Sequence, residues 1–299
     1  MEVEEWIQKS VRRPGPGART GTLTLPALFQ GWPHIAHGGG VLACLYALAR
    51  PALPDGPHLV SPHVVSVKLH RSVDLDAPLT WQLTSLDGGV GLTLHQEERC
   101  LVEGSVRIAP AGEPVPAGLP PEAGEGEAPT VPGNANCLAC GSENPIGLQI
   151  RFHYGEGAVW KTYRPRPPYR ASDGSLVPAF HFIALDEIGW WLGVLSAGEC
   201  GVTNEIAVRI LRPVPFDTPL VISGSRAAVT PDDDRGRLWR AQATVSADGT
   251  PVAVGSVRFA GSRGFTRRLI PGFLASSSPE DVRRLFPRYF TPRAMEDAS

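Results

Sequence analysis

The sequence predicts an α+β protein built from two copies of one unit, each a buried helix followed by a four-stranded antiparallel meander. Three observations carry this. Two apolar segments read as buried helices: residues 41–49, VLACLYALA, hold no charge, Pro or Gly, and residues 182–196 read FIALDEIGWWLGVLS. Each is followed by four strand-like runs separated by turn signals. The two series also align. At an offset of 141, Val67/Val208, Arg71/Arg212, Val73/Val214, Asp76/Asp217, Pro78/Pro219 and Leu79/Leu220 are identical. Further on, Gly104-Ser105-Val106-Arg107 recurs as Gly255-Ser256-Val257-Arg258, the longer loop at 230–236 absorbing the drift in spacing.

In order along the chain, residues 1–19 read as a loose arm, because Pro14-Gly15-Pro16-Gly17 breaks any helix begun at Glu4. Residues 20–25 alternate weakly, as a strand. His37-Gly38-Gly39-Gly40 then opens the first helix. Glycines there let a ligand approach the backbone, and the first amide N–H groups lack intrahelical partners and carry partial positive charge. Such a turn holds an oxyanion or a polarised carbonyl, or is simply a Gly-rich start to a core helix. A Pro-rich loop at 51–62 precedes strands at 64–70, 79–86, 92–98 and 101–108. Residues 110–133, PAGEPVPAGLPPEAGEGEAPTVPG, have almost nothing to bury and read as an extended linker. They divide a first domain, 20–109, from a second, 134–262. Strands at 148–154 and 159–163, a polar loop at 165–178 and the second helix follow, then strands at 205–211, 220–229, 238–246 and 252–260. The tail, 263–299, is Arg-rich, and Ser278-Pro279-Glu280-Asp281 is a good helix start. It is expected to be a solvated outer helix, with a clamp for phosphate as the other reading.

The whole composition excludes some classes. A net charge of −2 with 19% charged residues gives no strong field for nucleic acid or membrane. No apolar run reaches about 18 residues, and MEVEEWIQKSVRR has no apolar block of a secretory signal. Five cysteines at 44, 100, 137, 140 and 200, odd in number, fit reduced thiols in the cytoplasm.

In detail the sequence resembles the hot-dog superfamily, specifically small acyl-CoA thioesterases of the phenylacetyl-CoA type. Gly31-Trp32-Pro33 and His37-Gly38-Gly39 match the segment that opens their helix, and Leu185-Asp186-Glu187 with Gly189-Trp190 match a segment within it. Cys137-x-x-Cys140-Gly141-x-x-Asn144-Pro145-x-Gly147-Leu148 is similar to the opening of many members, and the segment from Thr203 to their strand after the helix. The resemblance implies two tandem hot-dog domains, each a curved sheet around a central helix, paired as an intramolecular pseudo-dimer.

The departures define the expected site. In the family an acid follows the His by nine residues on one helix. Nine after His37 is Tyr46, and before Asp186 stand Val177, Pro178 and Ala179 where His-Gly-Gly would be. Each half is degenerate in the opposite sense. One composite site, Gly38/Gly39 with Asp186, is therefore expected to be live. The other, Pro178/Ala179 with Tyr46, is expected to be dead, since Pro lacks an N–H and Tyr is no base at neutral pH.

The resemblance implies hydrolysis of an acyl thioester on CoA or a carrier protein, with no cofactor beyond CoA in the substrate. Asp186 is the base or nucleophile. Glu187 is its neighbour about 100° around the helix, so that only one of the two should face the site. His37 orients the turn or caps it as a core histidine, and Gly38 and Gly39 donate to the carbonyl. Gly31, Trp32, Gly40, Asn144, Trp190 and Thr203 are the substrate-binding candidates. Trp190-Trp191 otherwise fills the core, and Asn144 otherwise makes the turn before Pro145. Cys137-x-x-Cys140 has metal-ligand spacing, but no second pair follows, so packed thiols and no metal are expected. A hot-dog hydratase or dehydratase using His37 with Asp186, or a silent acyl-binding protein, are the alternatives. A homodimer of pseudo-dimers stays open.

Overall fold

A computed structural model describes residues 2–15, 17–53, 62–109, 115 and 128–290. Its first half contains α1 (Val3–Ser10), β1 (Thr20–Leu23), α2 (Gly38–Ala49), β2 (His63–Leu69), β3 (Leu79–Leu86), β4 (Gly89–Gln96) and β5 (Arg99–Ile108). The second half has β6 (Ala158–Tyr163), α3 (Ala179–Ala197), β7 (Gly201–Ile210), β8 (Leu220–Ser225), β9 (Leu238–Ala247) and β10 (Thr250–Gly261). A tail of α4 (Arg263–Ser276) and α5 (Pro279–Leu285) completes it.

All the long strands join one antiparallel sheet in the order β1-β3-β4-β5-β2-β7-β10-β9-β8-β6. Read from its two ends, this order is the same topology twice, with β2 and β7 meeting at the centre. The repeat explains the register. Ser66 pairs with Ala207, and these residues are themselves 141 apart, so the seam is symmetric about that pair: Val67 faces Ile206 and Val65 faces Val208.

The sheet wraps the two helices. Strand β3 alternates, with Leu79, Trp81 and Leu83 buried and the residues between exposed. Helix α3 has apolar residues on every face, as a helix must when it lies inside a fold rather than on it, and His181, Asp186 and Glu187 are its buried polar exceptions. Gly189 lets it sit close to β10, since a Cβ there would stand 2.5 Å from Val257 Cγ2.

The structure corrects several expectations. Residues 3–10 are helical, because the helix ends at Ser10, upstream of Pro14, and buries Val3 and Ile7 on one face. Residues 110–114 and 116–127 of the expected linker lie outside the described residues, as do 54–61 of the Pro-rich loop. The last linker residues already belong to the second half: Val131 is buried and its N–H donates to Phe152 O. Of 148–154 only His153–Tyr154 is strand. The segment before it is a loop docked on the first half, where the Leu138 N–H donates to Gln30 O at 2.6 Å. The expected helix start at Ser278 is present, its hydroxyl accepting from Asp281 N, but the tail is not merely external. Phe273, Val282 and Phe286 are buried. No helix among the described residues is long and apolar enough to cross a membrane.

Candidate active site

The N-terminus of α2 abuts α3 at Gly39. A Cβ on that residue would stand 2.4 Å from Phe182 O and 2.5 Å from Ile183 Cα, so only glycine allows the crossing. This contact brings the turn of the first half to the acids of the second. Asp186 Oδ2 accepts from the Gly39 N–H at 2.8 Å, and Asp186 Oδ1 accepts from the Thr203 hydroxyl at 2.9 Å. His37, the residue that caps α2, lies between the two acids: Nδ1 is 3.2 Å from Asp186 Oδ2 and Nε2 is 3.3 Å from Glu187 Oε2. The other Glu187 oxygen, Oε1, accepts from Trp191 Nε1 at 3.1 Å.

His37, Asp186, Glu187 and Trp191 are buried and Thr203 is half-buried, and the electrostatics follow. Burial alone would lower the His37 pKa, but Asp186 and Glu187 outweigh it and hold the imidazole protonated, with a pKa of about 9. Burial lifts Asp186 above the ordinary carboxylate range, against the opposing pull of His37, the Gly39 N–H and the Thr203 hydroxyl. A carboxylate so placed is more basic than one in water.

These groups open into a cleft of about 400 Å³. Predicted residues Gly31, Trp32, His37, Gly38, Asp186, Glu187, Trp190 and Thr203 line it. The expectation that one acid alone faces the site is corrected, because His37 inserts between Asp186 and Glu187 and draws both inward. Gly39 stands behind the wall with its N–H directed at both Asp186 Oδ2, at 2.8 Å, and the capping His37 Nδ1, at 3.1 Å, which leaves Gly38, whose N–H has no intrahelical acceptor, as the amide at the cleft. Gly40 and Asn144 are not among the lining residues. Gly40 packs against Leu138 and Phe29, and Asn144 holds loops together through Leu28 O, Asn136 O and Ile146 N.

Several lining residues were missed. Arg71 stands at the cleft, and its counterpart at offset 141, Arg212, stands at a second one; the repeated identity was the available signal. Phe273 of α4 joins Trp32 and Trp191 at 5.9 Å in an aromatic wall that Trp190 completes. Cys137 and Cys140 also face the cleft. The ligand atoms of His37, Cys137 and Glu187 all lie within 4.8 Å of one another, so this group could hold a metal.

The second cleft, about 630 Å³, contains Tyr46, Pro178, Ala179 and His181, with Ile7 of α1 in its wall. Tyr46, at the position of the acid, pairs its hydroxyl with His63 Nδ1 at 3.0 Å. No carboxylate occupies that position and no N–H is available at Pro178.

No protein family's sequence profile matches the chain, and no curated protein does. Solved structures do. A candidate thioesterase II from Thermobifida fusca YX has a TM-score of 0.60 at 16% identity, covering 86% of this chain and 97% of its own. A protein of unknown function with a hot dog fold from Alicyclobacillus acidocaldarius gives 0.55 at 14%, covering 86% and 97%. The dehydratase domain of PpsC from Mycobacterium tuberculosis, solved with C12:1-CoA, gives 0.54 at 13%, covering 84% and 97%. At these identities the likeness establishes the fold alone, a hot-dog fold.

Proposed function

We propose that this protein hydrolyses acyl thioesters, on CoA or an acyl carrier, at the single composite cleft between α2 and α3. One observation carries the reading: the second half places a buried, basic carboxylate, Asp186, against the helix N-terminus of the first half. The thioester carbonyl accepts from the Gly38 N–H, where the helix end favours developing negative charge. Asp186 takes the proton of the attacking water, and Thr203 and Gly39 hold it in place. His37 keeps the two acids in register. The acyl chain lies along Trp32, Trp190 and Phe273, and Arg71 at the cleft meets the phosphates of the thiol carrier. Thioesterases and a CoA-bound dehydratase domain among the structural neighbours support an acyl thioester as the substrate class.

Thiol release from a panel of acyl-CoAs tests this. Asp186→Asn keeps the shape and removes the base, and is expected to lower turnover by about 10²–10⁴-fold. The 3.2 Å approach of His37 to Asp186 favours one second reading, addition or removal of water on an acyl thioester. Hydration of an enoyl thioester without thiol release would establish it instead. Saturable acyl-CoA binding with neither reaction would leave a binding protein.

A further inference from the structure

The group formed by His37, Cys137 and Glu187 has no part to assign to its thiol in the hydrolysis above. We propose that it is a binding site for a zinc-class divalent cation, with His37 Nε2, Cys137 Sγ and Glu187 Oε2 as ligands and a fourth position open to the cleft.

The argument begins with spacing. Tetrahedral zinc with bonds of about 2.0 Å to N or O and about 2.3 Å to S separates its ligand atoms by about 3.3–3.7 Å. Here Nε2 and Oε2 are 3.3 Å apart, and all three ligand atoms fall within 4.8 Å. A mixed N, S and O set suits zinc better than a hard cation such as magnesium or calcium.

The outer shell is more telling than the ligands. A metal-bound imidazole almost always turns its other nitrogen to a carboxylate or carbonyl, and bound carboxylates are themselves hydrogen-bonded. His37 Nδ1 faces Asp186 Oδ2 at 3.2 Å, and Glu187 Oε1 accepts from Trp191 Nε1 at 3.1 Å. Cys137 Sγ accepts from the backbone N–H groups of Ala139 at 3.3 Å and Cys140 at 3.4 Å. The loop from Cys137 to Cys140 fixes the direction of this sulfur through its own backbone. Each of the three ligands is thus held from behind by a separate partner. The surrounding charge is also right: the carboxylates of Asp186 and Glu187 both lie within 3.3 Å of the His37 ring nitrogens.

The Cys137-x-x-Cys140 spacing lacked a second pair in the sequence. The fold supplies the missing ligands from elsewhere, one from the turn before α2 and one from α3. Cys140 lines the same cleft beside Cys137 but is not in the group of three.

Metal binding tests the site without reference to any reaction, so failure of the hydrolase reading leaves it untouched and the reverse also holds. The full chain, stripped with chelator, is titrated with Co²⁺ and then Zn²⁺. One equivalent of Co²⁺ is expected to produce a thiolate charge-transfer band in the near ultraviolet, which Zn²⁺ abolishes. Cys137→Ser is expected to lose the band and Glu187→Gln to weaken Zn²⁺ binding at least tenfold, while Cys100→Ser changes neither. X-ray absorption of the zinc-loaded wild type is expected to show one sulfur and otherwise N or O neighbours, a readout that does not depend on how the variants fold. No stoichiometric binding, a band that survives in Cys137→Ser, or a zinc shell without sulfur would each overturn the proposal.

Discussion

His181, in the second cleft, is placed to make stability fall in acid. It is 2% exposed, and its Nδ1 has no hydrogen-bond partner among the described residues. Burial pushes its pKa down to about 4 from 6.5. Above pH 6.5 the ring is neutral folded or unfolded, and stability is at its full value. Between about 6.5 and 4 the unfolded chain takes up a proton that the folded chain refuses, so stability falls with pH through that window. The loss approaches about 1.4 kcal/mol per pH unit, or about 2–3 kcal/mol by pH 4.5. Urea unfolding at pH 7.5 and 4.5 should show wild type losing that much more than His181→Leu. Equal losses in the two proteins would mean that His181 is solvated. In the sequence His181 is one residue of an apolar run, and nothing local tells whether its ring finds a partner. The same holds at the cleft between α2 and α3. His37, Gly38 and Asp186 were legible because each keeps a motif position that its counterpart in the other half, Val177, Pro178 or Tyr46, has lost. The joint placement of Asp186 and Glu187 around one ring was not, because it depends on a histidine 150 positions before Glu187 wedging between them.

At the scale of elements, the α2–α3 crossing separates the two glycines that the sequence treats alike. A methyl on Gly39 meets backbone, Phe182 O at 2.4 Å, and backbone at a helix crossing has nowhere to go. A methyl on Gly38 meets a side chain, Asp186 Oδ2 at 2.7 Å, which swings aside. Gly39→Ala is therefore expected to cost about 1–3 kcal/mol of stability, read in thermal unfolding. Gly38→Ala should keep most of its stability yet lose about 10²-fold in turnover, because a carboxylate displaced by about 1 Å no longer meets the water. A matching pattern in the two variants would refute the assignment of one glycine to packing and the other to the cleft. Helices and strands themselves were largely readable, since α2, α3 and β3 declare themselves by continuous or alternating apolarity. Helix α4 was obscured by its arginines. Its buried residues Thr266, Leu269 and Phe273 recur every three or four positions, so the inner face is present but thinly marked.

The whole molecule is a symmetric frame around asymmetric chemistry. The seam at Ser66 and Ala207 relates the halves so closely that each cleft has an arginine at the same offset, Arg71 in one and Arg212 in the other. The reactive groups do not follow that symmetry. Two equivalent sites would share the work, and removing the acid of one would leave about half of the activity. One composite site predicts a different result: Asp186→Asn lowers turnover by about 10²–10⁴-fold, and Tyr46→Phe leaves it unchanged. Tyr46→Phe keeps the ring and gives up the hydrogen bond to His63, so the cost to stability should be about 1 kcal/mol. Binding of a non-hydrolysable acyl-CoA thioether should likewise reveal one site per chain whose occupancy depends on Arg71. Half-activity in Asp186→Asn, or a loss in Tyr46→Phe comparable to that in Asp186→Asn, would show that the second cleft works too. The duplication would then have preserved two active centres, and Pro178 and Tyr46 would need a chemistry of their own.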